Sequence, residues 1–201
     1  MKLSVKGKQI DVGDALRTHV ETQLNEVVAK YFGDSLEATV SFSREAHLFR
    51  ADIMVHAGRG IVLQSNATAN EPYPAFDAAL TRLSGRLRRH KNKIKHHHHE
   101  VSRGQAEALI ASAFVLHSDD QNHEEETNDN PAIVAEMTTP VETLTVGEAV
   151  MRLDLGDLPA LMFRNRGHGG LNMIYRRPDG HIGWVDPAEN AASSVAARQA
   201  R

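Results

Sequence analysis

The first eight residues set Leu3 and Val5 on one side of an extended chain and Lys2, Ser4, Lys6 and Lys8 on the other. That period of two belongs to a strand with one buried face. From Gly13 the period changes. Leu16, Val20, Leu24, Val27 and Tyr31 recur at steps of three or four, which predicts an amphipathic helix with Gly33 placed as its stop. Alternation returns in LEATVSFS (36–43), FRADIMV (49–55) and GIVLQSNATA (60–69), with a tight turn at GRG (58–60). EPYPAF then opens a second helix, its prolines near the first turn as expected. Phe76, Leu80, Leu83, Leu87 and Ile94 form its core stripe, within about 60° of one another at 100° per residue.

The predicted order is β-α-β-β-β-α, an α+β unit with two helices on one face of a four-stranded sheet. The other face is expected to be polar and to carry Lys6, Lys8 and Arg50. Residues 100–139 lose the periodicity and read as an acidic flexible linker, interrupted by ALIASAFVL (108–116), a brief helix or docking segment. Order resumes near Val141. TVGE (145–148) fits a helix capping box and precedes a stripe of Val146, Ala149, Val150 and Leu153. ALMFRN, LNMIYRRP and HIGWVDP read as three short strands, with turns at GHGG (167–170) and Pro178-Asp179-Gly180. The division is therefore a first domain (1–99), a linker (100–139), a small C-terminal α+β domain (140–188) and a frayed tail (189–201).

Charge sharpens this division. Residues 1–99 sum to +5, residues 100–139 to −8 and residues 140–201 to zero. From Arg86 to Lys95 there are six Lys or Arg in ten positions and no acid. On the second helix Arg82, Arg86, Arg89 and Lys93 form a stripe roughly 120° from the core face, and Arg88, Lys91 and Lys95 lie on the other flank. A solvated helix normally alternates sign at i,i+4. Here Arg82/Arg86 and Arg89/Lys93 are like-charged pairs, and a partner that supplies phosphates would relieve them. The helix-turn-helix, zinc-finger and basic-zipper patterns are missing and aromatics are scarce. Backbone and shape recognition of folded RNA is therefore favoured over DNA readout.

Other chemistry is not expected. There is no cysteine, hence no disulfide or thiolate site. The N-terminus has no apolar signal region and no run approaches the roughly 18 apolar residues of a membrane span, so a cytoplasmic protein without a membrane partner is expected. Neither H-E-x-x-H nor G-x-S-x-G occurs. Catalysis, a cofactor and a small-molecule substrate are not predicted. His96–His99 point in different directions on a helix and read as a polar helix end rather than a metal site.

The C-terminal part raises a separate expectation. From Val141 to Pro187 there are 47 residues, and units below roughly 70 residues usually need a disulfide, a metal or a partner. Leu161, Met162, Phe163, Leu171, Met173, Ile174, Tyr175, Ile182 and Trp184 crowd its strands, more than one short helix covers. A second copy is expected to cover the surplus.

DALRTHVE in the first helix, EPYPAFDAAL and RLRRHKNKIK in the second, and FRNRGHGGLNMIYRRPDGHIGWVDP near the C-terminus together resemble the ribosome hibernation promoting factors in their long form. The resemblance implies that the first domain binds the small ribosomal subunit and its rRNA in the mRNA/tRNA channel and blocks decoding. It implies that the C-terminal domain self-associates and joins two ribosomes. On this chain it assigns RNA binding to Lys6, Lys8, Arg82, Arg86, Arg88, Arg89, Lys91 and Lys93, and self-association to the strands holding Phe163, Ile174, Tyr175 and Trp184. Gly13, where the family often has a hydroxyl cap, and the histidine run depart from the pattern. Two other readings stand beside it: a general RNA-binding or RNA-chaperone module, and a metal-using enzyme built on the histidines.

Overall fold

β1 (Lys2–Lys8) pairs in parallel with β2 (Glu37–Glu45), and α1 (Asp14–Val28) makes the crossover between them. β3 (Leu48–His56) and β4 (Val62–Ala69) follow as antiparallel neighbours, giving the sheet order β1-β2-β3-β4. α2 (Pro72–Glu100) packs against β3 and β4 on the same side as α1. The structure, a computed structural model, describes residues 2–8, 10–32, 37–57, 61–100, 108–117 and 132–187.

One face of the sheet is dry. Val5, Ala38, Val40, Phe42, Ala51, Ile53, Val55, Leu63 and Ala67 meet Leu16, Val20, Leu24 and Val28 of α1 and Phe76, Leu80, Leu83, Leu87 and Ile94 of α2. The predicted core stripe of α2 is thus buried throughout. That of α1 ends differently. Val28, not Val27, is the fourth buried position, and the helix stops there, before the expected Gly33. Gly33 and the predicted turn at 58–60 lie outside the described residues. Gly13 caps α1 with no side-chain hydrogen bond. The buried Ser65 hydroxyl donates to the Ala79 carbonyl at 2.9 Å, which fixes α2 against β4.

The segment expected to be an unstructured linker contains a correction. β5 (Leu109–Leu116) and β6 (Ile133–Val141) form an antiparallel two-stranded ribbon. ALIASAFVL is a strand and not a helix, because its β-branched and aromatic residues find a partner on the far side of the acid-rich stretch, a pairing that local periodicity does not reveal. The acid-rich stretch 118–131 lies outside the described residues.

The C-terminal unit has the sheet order β10-β9-β8-β7, built from β7 (Thr143–Leu144), β8 (Ala160–Asn165), β9 (Leu171–Arg176) and β10 (Ile182–Val185), with α3 (Val146–Leu155) against it. The capping box forms: the Glu148 N–H donates to Thr145 Oγ1 at 3.2 Å, and the Thr145 N–H to Glu148 Oε2 at 2.8 Å. Gly169 (φ 77°) and Gly180 (φ 83°) occupy the left-handed positions of the two predicted turns. α3 is buried on two sides. Ala149 and Leu153 join Leu144, Phe163 and Ile174 in the core of the C-terminal unit, whereas Met151 and Leu155 join the core of the first. No helix among the described residues is long and apolar enough to cross a membrane.

Candidate nucleic-acid interface and its C-terminal cover

The basic residues fall into three places. Lys6 and Lys8 are exposed on β1, at one edge of the sheet. Arg88 and Lys91 are exposed on one flank of α2. Arg82, Arg86, Arg89 and Lys93 line the other flank, next to β4. β1 and β4 are opposite edges of the sheet, about 14 Å apart at the usual strand spacing. The described side chains therefore present separate basic zones rather than one cluster. Arg50, expected as a further free cation, is occupied: its guanidinium donates to Asp52 and Glu45, each at 3.0 Å, and these bonds, Asp52 first, hold it above its ordinary pKa.

The flank beside β4 has two kinds of partner. Arg82 and Arg86 donate to the Asn66 and Gln64 carbonyls, each at 2.8 Å. These carbonyls belong to an edge strand, so the two arginines satisfy backbone groups that would otherwise invite strand addition. Arg86 also reaches Asp157 at 2.5 Å and Asp154 at 3.9 Å. Arg89 and His90 meet Asp154 at 3.0 and 2.9 Å. Lys93 donates to the Gly147 carbonyl at 3.3 Å.

Hydrogen bonds from His90, then Arg89, hold the Asp154 carboxyl well below the usual range, against the opposing effect of its burial. Arg176 of β9 approaches the same carboxylate at 3.4 Å. The like-charged repulsion along this flank is therefore relieved by acids that lie 65 to 71 residues further on. Asp154, Asp157 and His90 were not singled out from sequence. The available signal was the acid pair in LDLGDL (153–158), at and just beyond the end of α3.

The residues assigned to self-association separate in the same way. Phe163 and Ile174 are completely buried in their own unit, a correction to their expected place on an interface. Each strand alternates, and these two take the inward positions against α3. Tyr175 lies on the outer face with its ring over Gly183, so close that a Cβ there would collide with it. Trp184 is 53% exposed and donates from Nε1 to Asn172 Oδ1 at 2.9 Å. Of the four only Trp184 belongs to the exposed apolar surface, which also includes Met162, Leu171 and Val185 and, on the ribbon, Ile110, Phe114, Ile133 and Val134. Among the described residues no group of three or more His, Cys, Asp or Glu side chains is placed to hold a metal.

Residues 3–95 match the family model described as sigma 54 modulation protein / S30EA ribosomal protein, and residues 128–183 match the model of its C terminus. A ribosome hibernation promotion factor of Rhizobium meliloti is 43% identical over 94% of this chain and 98% of its own length. The chain belongs to the long-form ribosome hibernation promotion factors. Another member of this non-enzymatic family, from Bradyrhizobium diazoefficiens, is 37% identical over 98% of this chain and 99% of its own. The N-terminal domain of Thermus thermophilus Protein Y aligns with 44% of the chain and 98% of its own, at 28% identity and a TM-score of 0.40. The family's C-terminal match begins at residue 128, so it includes β6, which the sequence pattern alone assigns to the linker.

Proposed function

We propose that this chain is a cytoplasmic hibernation factor that holds ribosomes inactive. Its first domain binds rRNA of the small subunit in the mRNA/tRNA channel and excludes decoding ligands. Lys6, Lys8, Arg82, Arg86, Arg88, Arg89, Lys91 and Lys93 supply phosphate contacts, and the folded β-α-β-β-β-α scaffold fixes their spacing. The observation that carries this reading is the density of cations on α2, six in ten residues without an acid, in a chain of this family. Co-sedimentation with small subunits through sucrose gradients tests it. Every cation that no longer neutralises a phosphate lowers the salt slope by about 0.9. Replacing Arg86, Arg89 and Lys93 together with Gln should therefore flatten the slope by about 3 and weaken binding. Unchanged binding would reduce the flank to solvated surface. Equal affinity for unrelated structured RNA would favour a general RNA-binding module.

The C-terminal unit pairs two copies and thereby two ribosomes. Supporting this are the exposed Met162, Leu171 and Val185 and the ribbon, which carries apolar residues on both faces and has two unpaired edges among the described residues. Two-stranded ribbons are marginal alone in water. Light scattering should find full-length protein dimeric at micromolar concentration, and Ile110→Ser with Phe114→Ser should shift it toward monomer.

A further inference from the structure

Asp154 and Asp157 occupy positions on the flank of α2 where phosphates would otherwise sit. We infer that the C-terminal unit is an internal competitor of RNA: α3 closes over the Arg86–Lys93 flank, and this flank engages nucleic acid only after α3 has moved away. The inference rests on the RNA-binding role of the same flank proposed above.

Four observations converge on it. The acids are placed as an oxyanion ligand would be. Arg86, Arg89 and His90 all donate to one or other of them at 2.5 to 3.0 Å, and Arg86 is mostly buried as a result. Bidentate or shared carboxylate contacts of this kind use the same guanidinium donors that phosphate uses.

The backbone at Asp157 points the same way. Its φ is 51°, the left-handed conformation that favours glycine, yet glycine stands one position earlier at Gly156 with φ −82°. Aspartate is tolerated there, but what this residue adds over glycine is the carboxylate that meets Arg86.

The contact between the units is also asymmetric. Met151 and Leu155 give it an apolar anchor, but the two units also leave between them a partly open, mostly apolar cleft of about 230 Å³, lined by Val62 and Gln64 of β4 and by Leu144, Leu158, Leu161 and Met162. A permanent interface would be packed to interior density. This one is partly ionic and partly hollow, which suits a contact that opens.

Closure is selective as well. Arg88, Lys91, Lys6 and Lys8 stay exposed and free of the C-terminal unit, whereas Arg86 is covered and Arg89 and Lys93, though still exposed, are bonded to Asp154 and the Gly147 carbonyl. The closed chain thus retains cations for a first, weak encounter with RNA, and opening uncovers Arg86 and frees Arg89 and Lys93 from their present partners. Screening or displacement by a dense phosphate array releases α3, whereas a short or weakly charged RNA does not. Discrimination for a large folded RNA follows without any base contact.

Asp154→Asn with Asp157→Asn tests this in full-length protein, since amides keep the shape but not the charge, and Asn tolerates the left-handed position. Affinity for isolated small ribosomal subunits should rise at least about fivefold at low salt, the lower end of usual intersite coupling. The chain has no cysteine, so Lys30→Cys with His181→Cys accepts a donor and an acceptor dye on exposed sites of the two units. Energy transfer should fall as small subunits saturate the labelled protein.

Asn variants that bind like wild type, while the Arg86/Arg89/Lys93→Gln protein binds more weakly, would overturn closure and leave the RNA-binding role standing. A Gln protein that binds like wild type would overturn both. If the Asn variants do not fold, the dye pair decides alone: constant transfer at saturating subunits refutes the inference.

Discussion

Phe163→Ala distinguishes a core residue from an interface residue. Phe163 is completely buried against Leu144, Ala149, Leu153 and Ile174, the other buried members of that core. Truncation removes its transfer free energy and leaves a cavity, about 3 to 5 kcal/mol together for Phe→Ala. At roughly 0.05 to 0.15 kcal/mol per residue, the 47 residues from Val141 to Pro187 are stabilised by about 2 to 7 kcal/mol. The substitution therefore consumes most of the stability of the C-terminal unit. The chain supplies its own reporter. Trp184 is the single tryptophan and is bonded to Asn172 inside this unit. Its fluorescence in a urea titration should show the C-terminal transition displaced to low denaturant or already complete in buffer. Far-UV circular dichroism should retain the later transition of the first domain, whose core contains no C-terminal strand residue. An unchanged Trp184 transition, accompanied by loss of self-association, would place Phe163 on the interface and refute this reasoning.

Three further outcomes are expected. Thr145→Ala removes the capping box of α3 and should lower C-terminal stability by about 1 kcal/mol, read from the same fluorescence titration. Asp154 has its folded-state pKa lowered, so its contribution to stability is full above its ordinary value of 3.8 and disappears as pH falls through the lower folded value; the melting temperature of Asp154→Asn should lie below that of wild type at pH 6, and the gap should narrow as the pH falls below about 4. Gly183→Ala puts a methyl group against the Tyr175 ring, which should cost about 1 to 3 kcal/mol and show as a lower urea midpoint.

The parts of the fold that were legible in the sequence are those where one element buries one face. Leu3/Val5 on β1, the Phe76–Ile94 stripe of α2 and the TVGE cap each announce themselves within a few residues, and each forms as expected. The β5–β6 ribbon was not legible. It buries neither face, so its alternation carries no polarity signal, and its partner strand lies beyond an acid-rich stretch. α3 was half legible. Val146, Ala149, Val150 and Leu153 mark the face toward its own sheet, but Met151 and Leu155 stand off that stripe because the surface they cover belongs to another domain. The cations of α2 were found from charge density alone. Their intramolecular partners were not, since an ion pair between residues 86 and 157 leaves no local pattern.

The ribbon also sets how far the chain reaches. Leu109 of β5 is opposite Val141 of β6, so the chain enters and leaves the ribbon at the same end. Some forty residues of extended chain would span about 140 Å, but with the ribbon formed only the eight residues from 101 to 108 separate α2 from that point, which bounds the separation at about 30 Å. So short a connection keeps the C-terminal unit near the first domain, and a few ion pairs suffice to keep α3 seated. It also limits geometry. In the proposed pair each first domain would lie within about 30 Å of its own ribbon, so the two ribosomes would have to approach each other through the surfaces that hold these domains.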